Sequence, residues 1–117
     1  MKTHRGLRVA SVIREELAKL LLTEVDFDAA IPTITEVVVD DKMVWADVLV
    51  SVIPSPQGDE VMRKLEHAAG HLQHLLNKKL GIRPMPRIRF KLDHGLEKAA
   101  MVEKILLKDN NKETLAR

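Results

Sequence analysis

The sequence predicts an α+β domain: a three-stranded mixed sheet covered on one face by helices. Three observations predict it. Apolar residues recur at helical spacing in two long stretches, near residues 7–22 and 59–80. Three further stretches, 33–40, 43–53 and 87–92, are rich in β-branched residues or alternate between apolar and polar. The order helix, strand, strand, helix, strand then forces a helical crossover between the second and third strands. That crossover makes one pairing parallel and sets helices against the sheet's apolar face.

In the first helix Val9, Ile13, Leu17 and Leu20 form the apolar stripe, joined by Ala10, Val12 and Leu21. Residues 23–32 are an acidic connection closed by Pro32, which disfavours helix in the residue before it. Thr33, Ile34, Thr35 and Val37 to Val39 define the first strand, and Asp40-Asp41-Lys42 a polar turn. The second strand places Val44, Ala46, Val48, Val50 and Val52 on one face and Trp45, Asp47, Leu49 and Ser51 on the other. Pro54-Ser55-Pro56-Gln57-Gly58 breaks the chain.

The long helix carries Val61, Leu65, Ala68, Leu72, Leu75, Leu76 and Leu80, and Gly81 is its expected stop. After the extended Arg83-Pro84-Met85-Pro86, the third strand turns Ile88, Phe90 and Leu92 inward and Arg87, Arg89 and Lys91 outward. Asp93 is placed to cap a last helix over about residues 94–108, whose Leu96, Ala99, Ala100, Val102, Ile105 and Leu106 suit a core. Residues 1–108 are thus expected to form a single domain, and 109–117 a flexible polar tail.

Composition excludes several classes of function. Phe27, Trp45 and Phe90 are the only aromatic residues, too few for binding through stacked bases. With no cysteine, thiolate metal sites, disulfides and cysteine nucleophiles are impossible. The start of the chain is basic but has no apolar run after it, so no signal peptide is expected, and no stretch nears the roughly 18 apolar residues of a membrane span. These features suit the cytoplasm. The formal net charge of +2 conceals a strong asymmetry: residues 1–20, 21–60, 61–92 and 93–117 carry +3, −8, +7 and 0. A bipolar surface of this kind can hold an anionic partner on one side and repel it on the other.

Gly70 lies in the middle of an otherwise good helix, where glycine costs about 1 kcal/mol relative to alanine. Two explanations are open. Ala68-Ala69-Gly70 could admit a closely packed neighbour. It could instead kink the helix and expose backbone N–H groups that attract phosphate. Strand, strand, helix, break, helix and strand over residues 33–92 is the order of a type II KH domain, with Ala68-Ala69-Gly70 standing where such domains carry a GxxG loop.

The chain resembles the ribosome-binding factor A family over about residues 5–107. The likeness rests on several pieces in order. They are Arg8-Val9, Ile13 and Glu16-Leu17; Ile34-Thr35-Glu36-Val37; Ala46-Asp47-Val48-Leu49-Val50-Ser51; Ala68-Ala69-Gly70-His71-Leu72; and the run Ile82 to Asp93. The resemblance implies a KH-like α-β-β-α(kinked)-β-α fold. It implies binding to the free 30S small ribosomal subunit and its 16S rRNA near the decoding region, late in maturation. It also implies a part in rRNA processing and in growth in the cold. The family often has arginine three residues after the kink glycine, and this chain has Gln73 there, with the weaker base His74 beside it.

The candidate RNA-binding residues are Arg5 and Arg8 on the first helix; Arg63, Lys64, Ala68, Ala69, Gly70, His71 and His74 around the kink; Lys78, Lys79 and Arg83 beyond it; and Arg87 and Arg89 on the third strand. Lysine and arginine in such groups contact phosphate in a sequence-tolerant, salt-dependent way. Arg87, Arg89 and Lys91 equally suit the protection of an exposed strand from pairing with other sheets. His67, His71 and His74 share a helix face at i, i+4 and i+7, but Ala68 occupies the place of a zinc protease's glutamate, so no metal site is expected. No phosphate loop, dinucleotide fingerprint or nucleophile elbow is present, and the protein is not expected to be an enzyme, to carry a cofactor or to act on a small molecule. A monomeric RNA-binding assembly factor is the first reading. A protein-protein adaptor using the acidic hairpin and an exposed Trp45 is the second.

Overall fold

A computed structural model describes residues 4–94. It contains α1 (His4–Glu24), β1 (Ile31–Val39), β2 (Trp45–Ile53), a single 3-10 turn (Ser55–Gln57), α2 (Gly58–Leu80) and β3 (Arg87–Leu92). The helix expected over 94–108 and the tail after it lie outside the described residues.

The sheet has the order β1-β2-β3, with β1 antiparallel and β3 parallel to β2. Mixed pairing follows from the connections, because a five-residue loop joins β1 to β2 whereas the whole of α2 carries the chain back to start β3. Ile34, Val37 and Val39 of β1, Ala46, Val48, Val50 and Val52 of β2, and Ile88 and Phe90 of β3 are buried on one face. Ile13 and Leu17 of α1 and Leu65, Leu72 and Leu76 of α2 cover that face and are fully buried. Each such side chain contributes about 1.5–3 kcal/mol through burial alone. The opposite face of the sheet carries no helix among the described residues.

The two helices run antiparallel. Glu16 and Leu20 share a groove with Leu75, Lys78 and Lys79, Glu24 meets His71 at 3.2 Å, and Arg5 reaches the carbonyl of Arg83 at 2.9 Å. The start of α1 therefore lies beside the end of α2, and the acidic connection after α1 lies beside the middle of α2.

Three local features depart from expectation. First, β1 contains a bulge at Thr35, between Ile34 and Glu36. The extra residue reconciles the spacing of buried Ile34 and Val37 with the pleat, which otherwise buries alternate residues. The Thr35 hydroxyl lies against the Leu49 carbonyl (3.3 Å) and donates to the Asp93 carboxylate (2.6 Å). Secondly, the hairpin turn extends to Val44, which is exposed rather than part of the inner face. Asp40 organises it by accepting the N–H groups of Val44 (2.7 Å) and Trp45 (3.2 Å).

Thirdly, α2 is one continuous helix through Ala68-Ala69-Gly70, so the expected interruption with its freed N–H groups is absent. Nothing lies within 4 Å of a Cβ built on Gly70, so close packing does not explain the glycine either. The helix ends where expected, at Gly81, which adopts φ 60° and donates its N–H to the Asn77 carbonyl (3.1 Å). Because Gly70 is helical, exposed and uncrowded, Gly70→Ala should stabilise the fold by about 0.5–1 kcal/mol. Thermal denaturation checks this, and a lower Tm would show that the glycine meets a backbone requirement after all.

Candidate nucleic-acid interface

The candidate cations separate into three groups once the chain is folded. The first runs along α1 and the end of α2. Arg5 and Arg83 meet at the start of α1 with Arg8 one turn on, Lys78 and Lys79 lie beside Glu16 and Leu20 farther along it, and all five cations are exposed. Among the described residues, no carboxylate pairs with Arg8, Lys78, Lys79 or Arg83. Glu16 shares a groove with Lys78 and Lys79 but pairs with Lys19 at 3.3 Å. Lys78 and Lys79 complement the negative end of the α2 dipole, which is their structural use. Arg5 lies in the first described turn of α1, which holds no acid, and donates to the Arg83 carbonyl; Arg8 follows one turn later. A cation in a helix's first turn opposes the dipole by about 0.3–1 kcal/mol, a cost that an approaching anion reverses.

The loop between α2 and β3 is held firmly at this end. Gln73 accepts the N–H of Ile88 (2.7 Å) and donates to the carbonyl of Pro86 (3.1 Å) and to Asn77 Oδ1 (3.0 Å). Arg5 closes the other side of the loop through the Arg83 carbonyl. The position considered for a phosphate contact is thus turned inward, where it fixes the entry to β3. The signal in the sequence that could have revealed it is an uncharged amide next to Leu72 on the apolar side of α2.

In the second group the cations are already neutralised. Arg63 pairs with Glu60 (2.5 Å), and Lys64 donates to Asp28 Oδ2 and to the Asp26 carbonyl (2.9 Å each). The hydrogen bond that Lys64 donates to Asp28 is the main cause of its raised pKa. His71 faces Glu24, and His74 is exposed farther along the helix. Ala68 and Ala69 are half-buried, with Gly70 exposed between these clusters. Among the described residues, no three histidine or acidic side chains come close enough to hold a metal ion.

The third group lies on the open face of the sheet. Arg89 pairs with Asp47 and stacks over Trp45 at 4.5 Å, Arg87 lies 5.9 Å from the same ring, and Lys91 meets Asp47 at 3.2 Å. Chiefly through the hydrogen bond from Arg89, the Asp47 carboxyl is held below its usual pKa. Trp45 is therefore half-buried beneath two guanidinium groups, a correction to the exposed ring expected from the sequence. Arg89 and Lys91 lie on the edge strand β3 and share the carboxylate of Asp47 on the central strand β2, and their charge suits protection of that edge.

An antiparallel hairpin, a helical crossover and a parallel third strand, all backed by helices, make this a KH-like domain. The chain belongs to the ribosome-binding factor A family, whose model matches residues 5–106. It is 32% identical over 117 residues to ribosome-binding factor A of Coxiella burnetii, covering 96% of this chain and 98% of the relative. It is 30% identical over 113 residues to that of Caldanaerobacter subterraneus subsp. tengcongensis, covering 94% and 93%. Its fold is similar to the solution structure of a Thermotoga maritima protein assigned to the same family, with TM-score 0.66, 27% identity and coverage of 79% of this chain and 90% of that one. The crystal structure of ribosome-binding factor A from Thermus thermophilus shares the fold at TM-score 0.61 and 18% identity, covering 74% and 94%. A Thermus thermophilus ribosome-binding factor A homology model, fitted into a cryo-EM map of its 30S complex, matches at TM-score 0.61 and 20% identity, covering 72% and 90%.

Proposed function

We propose that this protein is a non-catalytic assembly factor that binds the free 30S subunit and its 16S rRNA through the basic end of the helical layer. The observation that carries the reading is the set of exposed cations without a paired carboxylate among the described residues, Arg5, Arg8, Lys78, Lys79 and Arg83, along α1 and the end of α2. Family membership supports it, as does the 30S complex of the Thermus thermophilus relative. Arg87, at the same end of the sheet, extends the surface towards the open face. On this reading the protein acts as a cytoplasmic monomer, late in subunit maturation, in rRNA processing and in growth in the cold, without a cofactor.

The adaptor reading has less to stand on. Trp45 is covered by its own arginines, and the Asp40 carboxylate is occupied by backbone N–H groups of the turn. Sedimentation of the purified protein with 30S subunits tests the proposal. Co-migration is expected at low salt and should fade steeply as salt rises, because each phosphate contact releases counterions. Protein that stays at the top of the gradient at every salt concentration would refute it.

A further inference from the structure

The acidic connection after α1 packs against a part of α2 that looks, by sequence, like an RNA-binding surface. Lys64 Nζ is held at 2.9 Å by both the Asp26 carbonyl and Asp28 Oδ2, and His71 Nε2 lies 3.2 Å from Glu24 Oε2. The connection is shaped for these contacts. Asp26 Oδ1 accepts the N–H of Asp28 at 2.9 Å, and Asp28 adopts φ 56°, a left-handed conformation that few residue types take readily. The Asp28 side chain is 80% exposed and that of Lys64 only 25%, so the carboxylate is presented to solvent in place of the ammonium. Glu24, Asp26, Asp28 and Glu60 here face Arg63 and Lys64, four negative charges against two positive, for a net −2 with histidines neutral. Arg5, Arg8, Lys78, Lys79 and Arg83 are by contrast exposed and without a paired carboxylate among the described residues.

We propose that the Glu24–Asp28 connection is an internal anionic screen that occupies the Lys64–His71 stretch of α2 as RNA phosphate would, and so confines RNA to the basic end. The proposal rests on the reading that the basic end binds RNA. It gives the chain's acidic block a function. Without the screen, Lys64 would stand unpaired in the first half of α2, a second place at which RNA phosphate could be held by charge. With it, a phosphate approaching the middle of α2 releases no counterion from Lys64 and meets carboxylates instead. Specificity gained this way depends on a repulsive element beside the attractive one.

The test is a double variant, Glu24→Gln with Asp28→Asn, measured against a synthetic RNA duplex of no ribosomal sequence. Both substitutions preserve side-chain shape, and asparagine tolerates the left-handed conformation at position 28. Freeing one lysine should steepen the salt dependence of log K by about 1 and raise affinity roughly tenfold near 0.1 M salt. Adding Lys64→Gln should abolish the gain. Unchanged duplex affinity in a variant that melts like the wild type would overturn the proposal. So would a gain that survives Lys64→Gln, because the effect would then be one of overall charge. Should the double variant melt early, Asp28→Asn alone carries the same test and the same expected steepening. Wild-type sedimentation with 30S subunits separates the two ideas. If it persists while the duplex results fail, the screen alone is wrong; if it is absent, the underlying reading is wrong.

Discussion

Gln73→Leu should destabilise the fold by about 2–4 kcal/mol, the largest stability loss expected from any polar residue described here. Leucine matches the apolar neighbours Leu72 and Leu76, so no cavity is at issue. The loss comes from the partners left behind. Ile88 is buried, and its N–H points at Gln73 Oε1 at 2.7 Å; Pro86 is fully buried, and its carbonyl accepts from Gln73 Nε2 at 3.1 Å. A buried donor or acceptor that loses its partner costs about 1–3 kcal/mol, and two are lost together. Gln73→Glu is the informative companion. Its ionised carboxylate still accepts from Ile88 but sets negative charge against the Pro86 carbonyl, whereas the protonated acid can donate to it. That variant should therefore recover stability as the pH falls into the carboxylic range, the opposite of an ordinary exposed salt bridge. Urea unfolding monitored at constant m-value measures both. A change below about 0.5 kcal/mol for Gln73→Leu would show that water replaces the glutamine, and that the loop is held by Arg5 instead.

The example shows which parts of the molecule were legible in the sequence. The period of 3.6 in Val61, Leu65, Leu72 and Leu76 and the alternation in Ile88 and Phe90 gave the elements and their inward faces, because burial acts on each residue through local geometry alone. Gly81 was legible for the same reason, since a left-handed stop is a local requirement. Gly70 was not. Its type suggested a break, but a break needs either strain or a neighbour, and the fold supplies neither, so the continuous backbone hydrogen bonding of α2 prevails. The bulge at Thr35 was hinted at by the spacing of Ile34 and Val37, yet it depends on the partner strand. The site was legible as a list of cations but not as a surface. Whether Arg63 or Lys64 is available to a ligand depends on where Glu60 and the Glu24–Asp28 connection come to rest, and those are contacts across 3 and 36 positions of sequence. Charge counts along the chain cannot distinguish a cation facing solvent from one facing a carboxylate.

Lys79→Glu with Arg83→Glu should weaken RNA binding by at least about 25-fold near 0.1 M salt while leaving the fold intact. Both side chains are exposed and neither pairs with an acid among the described residues, so Arg83→Glu should stay within about 0.5 kcal/mol, whereas Lys79→Glu, which sets a carboxylate at the negative end of α2, should cost about 0.6–2 kcal/mol. The affinity estimate follows from counterion release. Each phosphate contact contributes about 0.7–0.9 to the slope of log K against log salt, which at 0.1 M is nearly a tenfold factor. Removing two contacts thus accounts for about 25- to 60-fold, and the new carboxylates add repulsion. The slope itself should flatten by about 1.4–1.8, an effect that misfolding would not mimic, since a partly unfolded sample loses binding sites without changing the salt dependence of those that remain. Arg63→Glu is the matched control. Arg63 is equally exposed but already paired with Glu60, so its reversal should change affinity less than about threefold. Equal losses from the control and the double variant would place RNA along the whole of α2 and contradict both the basic-end interface and the screen. No loss from either would point to an interface that does not depend on phosphate, and the adaptor reading would then become the better account of this surface.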